Sequence, residues 1–359
     1  MGFHTFELRY QIPYEDLREI EEALYKAKGK NYEDKNEYLS TKVFEALKDK
    51  GIIVKLRNYK YYNKKQLQDY TSALLYYQIN PRRVMDNNNY LGIFDSENIN
   101  KMLDRANKLI KTTFSYELPL VEKCKLHRID FCCNAMLSGQ DEIDAYIDLL
   151  KKGKDLKKYE VQKYFDEKAK RKVLSQNGIT FIGENEVDIT YYNKQRQMTE
   201  ANIPVRDMEK LNKTIRIEIR CKRKKIKRLR KLFDTRGLRD FFSNSDEICD
   251  YIFDKYSNIF YGKGDFYKLK DIKPLIDATN YKKKTKDRMN ELAKLSSIRC
   301  NLSVALKEFE KRYGKNITLH ILRKFDEISV SPVVVPKRSK FDKFDNPHKL
   351  SKDWMNNIN

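Results

Sequence analysis

The chain has 359 residues, with 74 lysines and arginines against 52 acids, for a formal net charge of +22. Its length allows two domains, or one with a large appendage, and 40% hydrophobic and 12% aromatic residues can supply a real core. The charge points to a polyanionic partner, nucleic acid ahead of a membrane or an acidic protein, and no apolar run nears the roughly 20 residues needed to cross a bilayer. A lysine-rich genome would inflate lysine and asparagine too, but it should inflate the acids as well. The cysteines, Cys124, Cys132, Cys133, Cys221, Cys249 and Cys300, form no CxxC pair, so neither a zinc signature nor a disulfide framework is present. Reduced thiols in a cytoplasm are expected. No signal peptide is expected either, because residues 1–9 already read as a strand.

Residues 3–12 alternate apolar and polar side chains, the pattern of a strand, and Pro13 closes it. A helix is expected over 14–28, with acids early and lysines late to suit its dipole. Residues 31–36 read as a loop, and 52–59 and 72–79 as two strands, the second stopped by Asn80–Pro81. Ser96 is a plausible N-cap for a helix over 97–111. A strand over 126–134 follows, then a helix capped by Ser138 and ended by Gly153. Residues 155–175 are charged and read as a helix or a mobile loop. Residues 178–183 and 187–194 form a predicted hairpin, 195–213 a connecting loop, and 214–222 the last strand. The basic run KRKKIKRLRK opens at Lys222, and helical spacing dominates from there to about Phe325. Residues 331–336 read as extended, and 337–359 as a loose polar tail.

Three stretches carry candidate chemistry. In 126–134, Arg128, Asp130, Cys132 and Asn134 share one face; in 187–194, Asp188, Thr190, Tyr192 and Lys194 do; in 214–222, Arg216, Glu218, Arg220 and Lys222 do. If these strands share a sheet, two acids, a tyrosine and several cations gather on one side. A tyrosine attacking a phosphodiester conserves the bond energy as a phosphotyrosine, and it needs a nearby cation, for which Lys194, Arg216 and Arg220 are candidates. With 24 tyrosines in the chain, a strand tyrosine with a wet hydroxyl is also ordinary. Asp130 and Glu218 sit mid-strand, where acids are poor formers. They suit Mg²⁺ or Mn²⁺ as hard oxygen ligands, or they pair across the sheet, Asp130 with Arg216 or Glu218 with Arg128. His127 falls on the apolar side and reads as structural. Arg128, Arg216, Arg220, Lys222, Arg223, Lys224, Lys225, Lys227 and Arg228 are the expected DNA contacts, although a basic run is often only a solvated helix face. No Walker A loop, dinucleotide glycine pattern or HExxH motif appears, which argues against an ATPase, a dehydrogenase or a zinc protease.

At these strands the sequence resembles the replication initiators of rolling-circle plasmids of the trans-acting type and, more loosely, phage replication endonucleases. The resemblance rests on Arg128–Ile129–Asp130–Phe131, on Phe181–Ile182–Gly183 leading to Tyr192–Asn193–Lys194, and on Arg216–Ile217–Glu218–Ile219, with Asn80–Pro81 upstream. It covers about residues 74–227. It departs from the plasmid pattern at Asn134 and Arg220, where acids are common, and it lacks a His-hydrophobic-His metal pair. The resemblance implies that Tyr192 is the nicking nucleophile, with Tyr191 the neighbour that could be mistaken for it. It also implies that Lys194 is a phosphate contact and that Asp130 and Glu218 are metal or general-base acids with Mg²⁺ or Mn²⁺.

The expected architecture is α+β: residues 1–227 a mostly antiparallel sheet with helices on one face, 228–336 a basic helical DNA-binding domain, and 337–359 a tail. The expected function is metal-assisted nicking and joining at a plasmid or phage origin. The expected partners are origin duplex and single-stranded DNA, with a second copy of the chain and a host helicase as further candidates, and no membrane. The alternatives are a non-catalytic DNA-binding regulator of a mobile element and an RNA-binding protein that stacks bases on exposed tyrosines.

Overall fold

A computed structural model describes residues 2–13, 15–27, 41–63, 68–85, 94, 98–114, 117–167, 170–184, 186–202, 208–299 and 301–356. In chain order the elements are β1 (Gly2–Ile12), α1 (Leu17–Lys26), β2 (Thr41–Phe44), β3 (Ile52–Asn63), β4 (Gln68–Ile79), α2 (Pro81–Val84), α3 (Ile99–Thr113), β5 (Lys125–Met136) and α4 (Gln140–Leu150). Next come β6 (Tyr159–Val161), β7 (Tyr164–Asp166), β8 (Arg171–Val173), β9 (Gly178–Gly183), β10 (Val187–Asn193), α5 (Lys194–Glu200), α6 (Met208–Leu211) and β11 (Thr214–Lys222). The remainder is α7 (Arg223–Leu232), α8 (Leu238–Ser243), α9 (Ser245–Tyr256), β12 (Phe266–Tyr267), α10 (Leu269–Asp277), α11 (Lys283–Ile298), α12 (Leu302–Tyr313), α13 (Lys315–Glu327), β13 (Lys343–Phe344) and α14 (Pro347–Asn356).

The fold is α+β with a large antiparallel sheet, as the alternating stretches predicted. The division into units differs from a linear cut near residue 227. One unit takes Met1–Cys132 and Arg220–Asp250, the other Cys133–Ile219 and Tyr251–Asn359, so β5 and β11 each contribute to both.

In the first unit the hydrogen-bonded order is β2-β3-β4-β1-β5. Antiparallel register sets Ile79 between Phe6 and Ile52, and Tyr77 between Leu8 and Val54, and all six are buried. Period-two alternation places these apolar side chains on one face, and full burial of each stabilises the fold by about 1.5–3 kcal/mol. On that face α1 sends Glu21 to Asn58 (3.0 Å) and Lys42 (3.7 Å), and Phe242 of α8 stacks on Phe3 with ring centroids 4.9 Å apart. The opposite face is polar, with Lys55 Nζ donating to Glu7 (3.1 Å) and Gln78 (2.7 Å).

In the second unit the order continues β5-β11-β10-β9-β6. The predicted hairpin is present as β9 and β10, with Phe181 opposite Ile189 and Gly178 opposite Tyr192. Glycine is needed at both ends of β9: a Cβ on Gly178 would fall on the Tyr191 carbonyl oxygen, and one on Gly183 on that of Val187. The buried phenols of Tyr146, Tyr191 and Tyr261 donate to the backbone oxygens of Asp345 (2.9 Å), Ser257 (2.5 Å) and Leu150 (3.0 Å), so each keeps a partner out of water. Helices α10–α13 pack around Ile272, Met289, Leu292, Phe309, Ile321 and Phe325.

Several expectations are corrected. Residues 155–175 hold three short strands rather than a helix or loop, and 195–213 contain α5 and α6. The cap of α3 is Asn98 and that of α4 is Gly139. The predicted loose tail is packed: β13 pairs with β12, and Asn346, 1% exposed, donates to the Gly262 and Gly264 carbonyls. Residues 31–36 and Ser96 lie outside the described residues. Among the described residues no helix is long and apolar enough to cross a membrane.

Candidate active site

Strand β10 places its two adjacent tyrosines on opposite faces. Tyr191 follows Val187 and Ile189 into the core and is fully buried. Burial pushes its phenol well above the usual tyrosine range, and its hydroxyl is committed to Ser257. Tyr192 is half-buried on the other face, and its hydroxyl donates to Glu218 Oε2 of β11 at 3.3 Å. Glu218 is half-buried as well.

The chain turns from strand to helix immediately after Tyr192. Asn193, fully buried, caps α5: its Oδ1 accepts from Arg196 N at 3.1 Å, and its Nδ2 donates to Gln140 Oε1 at 2.7 Å. Gln140 in turn donates to the Asn212 carbonyl at 2.6 Å, which ties the β10–α5 junction to the segment before β11. Lys194 is the first residue of α5; its ammonium lies 5.8 Å from the Tyr192 ring centroid and donates to Gln197 Oε1 at 2.7 Å. Lys194 is only 3% exposed, so this charge reaches the tyrosine ring from the protein side. Gln140, Asn193 and Gln197 were missed as positioning residues. An asparagine ending a strand before a polar heptapeptide is the signal for the cap, while the two glutamines carry none.

Asp130 lies in the first unit and differs from the open carboxylate expected of a metal ligand. Its side chain is 3% exposed, and its oxygens accept from Arg220 Nε (3.0 Å) and Nη2 (3.3 Å), with Arg128 Nε 3.3 Å away. Asp130 therefore makes a cross-strand ion pair, with Arg220 of β11 rather than the expected Arg216, and Arg128 of its own strand lies beside it. Among the described residues no three His, Cys, Asp or Glu side chains stand together as a metal-holding group.

Side-chain pairings fix how β5 and β11 run. Arg216 Nε donates to Asn134 Oδ1 at 2.7 Å, and Thr214 Oγ1 lies 3.5 Å from Met136 Sδ, whereas Arg220 pairs with Asp130. Partners step in opposite directions along the two strands, so the pair is antiparallel. Arg216 is fully buried and Lys225 is 4% exposed, which corrects their expected role as DNA contacts. Asn134, where the plasmid pattern favours an acid, supplies a neutral acceptor to Arg216.

The remaining expected contacts fall into two sets. Arg128, Arg220 and Lys222 are half-buried. Arg223, Lys224, Lys227 and Arg228 are exposed along one side of α7, where Lys231, not among the expected contacts, joins them, while Ile226 and Leu229 are buried on the other. That spacing makes the basic run an amphipathic helix with a continuous cationic stripe. His127 is also displaced from its expected face. The β1–β5 register shifts between Glu7 and Leu8, and the imidazole lies 4.0 Å from Glu7 Oε1, beside the Tyr76 ring at 5.4 Å. Burial holds its pKa below the ordinary histidine value, with Glu7 opposing that shift.

No protein-family model and no curated protein matches the sequence. Among solved structures the chain is similar to the rolling circle replication initiator protein from Geobacillus stearothermophilus, at 11% identity over 71% of this chain and 84% of that chain, with a TM-score of 0.31.

Proposed function

We propose that this chain initiates rolling-circle replication by nicking one DNA strand with Tyr192. The observation that carries the proposal is the hydrogen bond from the Tyr192 hydroxyl to Glu218 Oε2 at 3.3 Å, on the strand face opposite the one on which Tyr191 is buried. The three ordered motifs that resemble such initiators meet the same residues, and the charge of +22 suits a nucleic-acid substrate.

In the proposed step Glu218 accepts the phenol proton as general base, and the phenolate oxygen forms a bond to phosphorus. The bond from phosphorus to the 3′ oxygen breaks, and that oxygen takes a proton from water to become a free 3′ hydroxyl, while Glu218 releases the phenol proton to solvent. Initiation needs this hydroxyl as a primer, so the tyrosine must retain the 5′ phosphate. Lys194 favours the phenolate through its charge near the ring, and the α7 stripe holds the duplex by its phosphates. Whether the step takes Mg²⁺ or Mn²⁺ is read from the metal and EDTA arms of the assay.

The test is to incubate supercoiled plasmid carrying the cognate origin with wild type, Tyr192→Phe and Tyr191→Phe, each with Mn²⁺, with Mg²⁺ and with EDTA. Nicked circles and a covalent protein–DNA adduct should form with wild type and Tyr191→Phe and should be absent with Tyr192→Phe, which still binds the origin. Origin binding with no nicking by wild type in any arm would instead assign a regulator, and preference for RNA at matched salt would assign an RNA-binding protein.

A further inference from the structure

The ribbon β7–β8 in the second unit has an unusual surface. Phe165 is 64% exposed and Tyr164 is 49% exposed, and strand alternation points them to opposite faces. Each aromatic shares its face with a cation. Phe165 lies directly opposite Lys172, and Tyr164 lies on the face where Asp166 pairs with Arg171. Lys163, Lys170, Arg171 and Lys172 are all exposed. A two-stranded ribbon has little stability of its own, and exposed aromatics on both faces add none to it in water.

The position of the ribbon is equally specific. Before β7, the amide of Gln162 donates to the Thr180 carbonyl at 2.8 Å, and Thr180 faces Thr190 in the hairpin. After β8, the carbonyl of Asn177 accepts from the amide of Asn193 at 2.8 Å, and Gly178 faces Tyr192. Both ends of the ribbon therefore join the β9–β10 ladder at the end that carries Tyr192.

We propose that the β7–β8 ribbon binds single-stranded DNA, stacking unpaired bases on Phe165 and Tyr164 while Lys163, Arg171 and Lys172 meet the phosphates. Aromatic faces interleaved with cations suit a strand whose bases are unpaired, whereas a duplex hides those base faces in its own stack. The assignment of these bases to the strand being cut rests on the proposed nicking role of Tyr192; the binding itself does not.

The experiment uses the full chain carrying Tyr192→Phe, so that no cleavage occurs. Fluorescence anisotropy would follow a labelled oligo(dT) of about 15 nucleotides, within the span that such grooves cover, and a duplex of the same length. Phe165→Ala should weaken oligo(dT) binding by about 5- to 150-fold, the range for one lost base stack, and leave duplex binding unchanged. Phe165→Trp should restore binding. Lys172→Ala should reduce the salt slope for oligo(dT) by about 0.7, and Phe165→Ala should leave that slope alone. Because the Phe165 side chain is exposed, its removal should not move the thermal midpoint, and Tyr164→Ala repeats the test on the other face. Oligo(dT) affinity within about twofold of the parent for both alanine variants, or equal losses on oligo(dT) and duplex, would overturn the proposal. A failure of wild type to nick would leave the binding result standing, so the two readings fail separately.

Discussion

Replacing Asp130 by asparagine separates an ion-pair role from a metal-ligand role. The carboxylate is 3% exposed and accepts from both nitrogens of the Arg220 fork at 3.0 and 3.3 Å, with Arg128 Nε at 3.3 Å. Asparagine keeps the shape, removes the charge and turns an amide donor toward a guanidinium donor. Removing one partner of a fully buried pair costs about 3–5 kcal/mol. Here the arginine side chains are 38% and 20% exposed and regain some hydration, so about 1.5–3 kcal/mol is expected. Urea unfolding followed by circular dichroism measures the loss, in EDTA and again in Mn²⁺. Combining Asp130→Asn with Arg220→Gln should show a coupling of about 1–2 kcal/mol, unchanged by Mn²⁺. A loss below about 0.5 kcal/mol with no coupling, together with stabilisation of wild type alone by Mn²⁺, would refute the ion-pair assignment.

The packed C-terminal segment and the His127 site give two further tests. Asn346→Ala removes bonds to Gly262 O (3.0 Å), Gly264 O (2.8 Å) and His348 N (3.0 Å) from a residue that is 1% exposed. A loss of about 3 kcal/mol or more is expected, with new proteolytic cleavage near residues 343–356, and a loss under about 1 kcal/mol would mean that the segment is held by other contacts. At His127 the folded-state pKa lies below the unfolded value of 6.5, so the unfolded chain binds the proton more readily. The stability this site contributes is complete above that value and is lost as pH falls from it toward the lower folded pKa. His127→Gln should therefore lose less stability than wild type between neutral pH and the acid side of that window, and parallel pH curves would contradict the assignment.

What the sequence revealed about the fold follows from how local each signal is. Strands β5, β10 and β11 repeat at a period of two over enough residues to be read directly, and β11 has the predicted limits of Thr214–Lys222. The strands within 155–175 have three residues each, too short to establish any period. The C-terminal segment is polar and held through backbone atoms, such as the Asp345 carbonyl that accepts from Tyr146 at 2.9 Å, so hydropathy does not register it.

The candidate site divides along the same line. Alternation assigns side chains to a face but says nothing of what covers that face. Arg216 and Arg220 share a side of β11, yet Arg216 is fully buried against Asn134 while Arg220 is half-buried and paired with Asp130. A register shift defeats even the assignment of face, as at His127, because it depends on the partner strand β1. The choice between Tyr191 and Tyr192 is the case in which face and cover agree. Alternation sends Tyr191 to the apolar side, and Ser257, distant in sequence, receives its hydroxyl there. Tyr192 is left half-buried with Glu218 on the other face. Of the two phenols, Tyr191 is committed to the Ser257 carbonyl in the core and Tyr192 is half-buried beside an acid, so the proposed chemistry is tested at Tyr192, with Tyr191→Phe as the control.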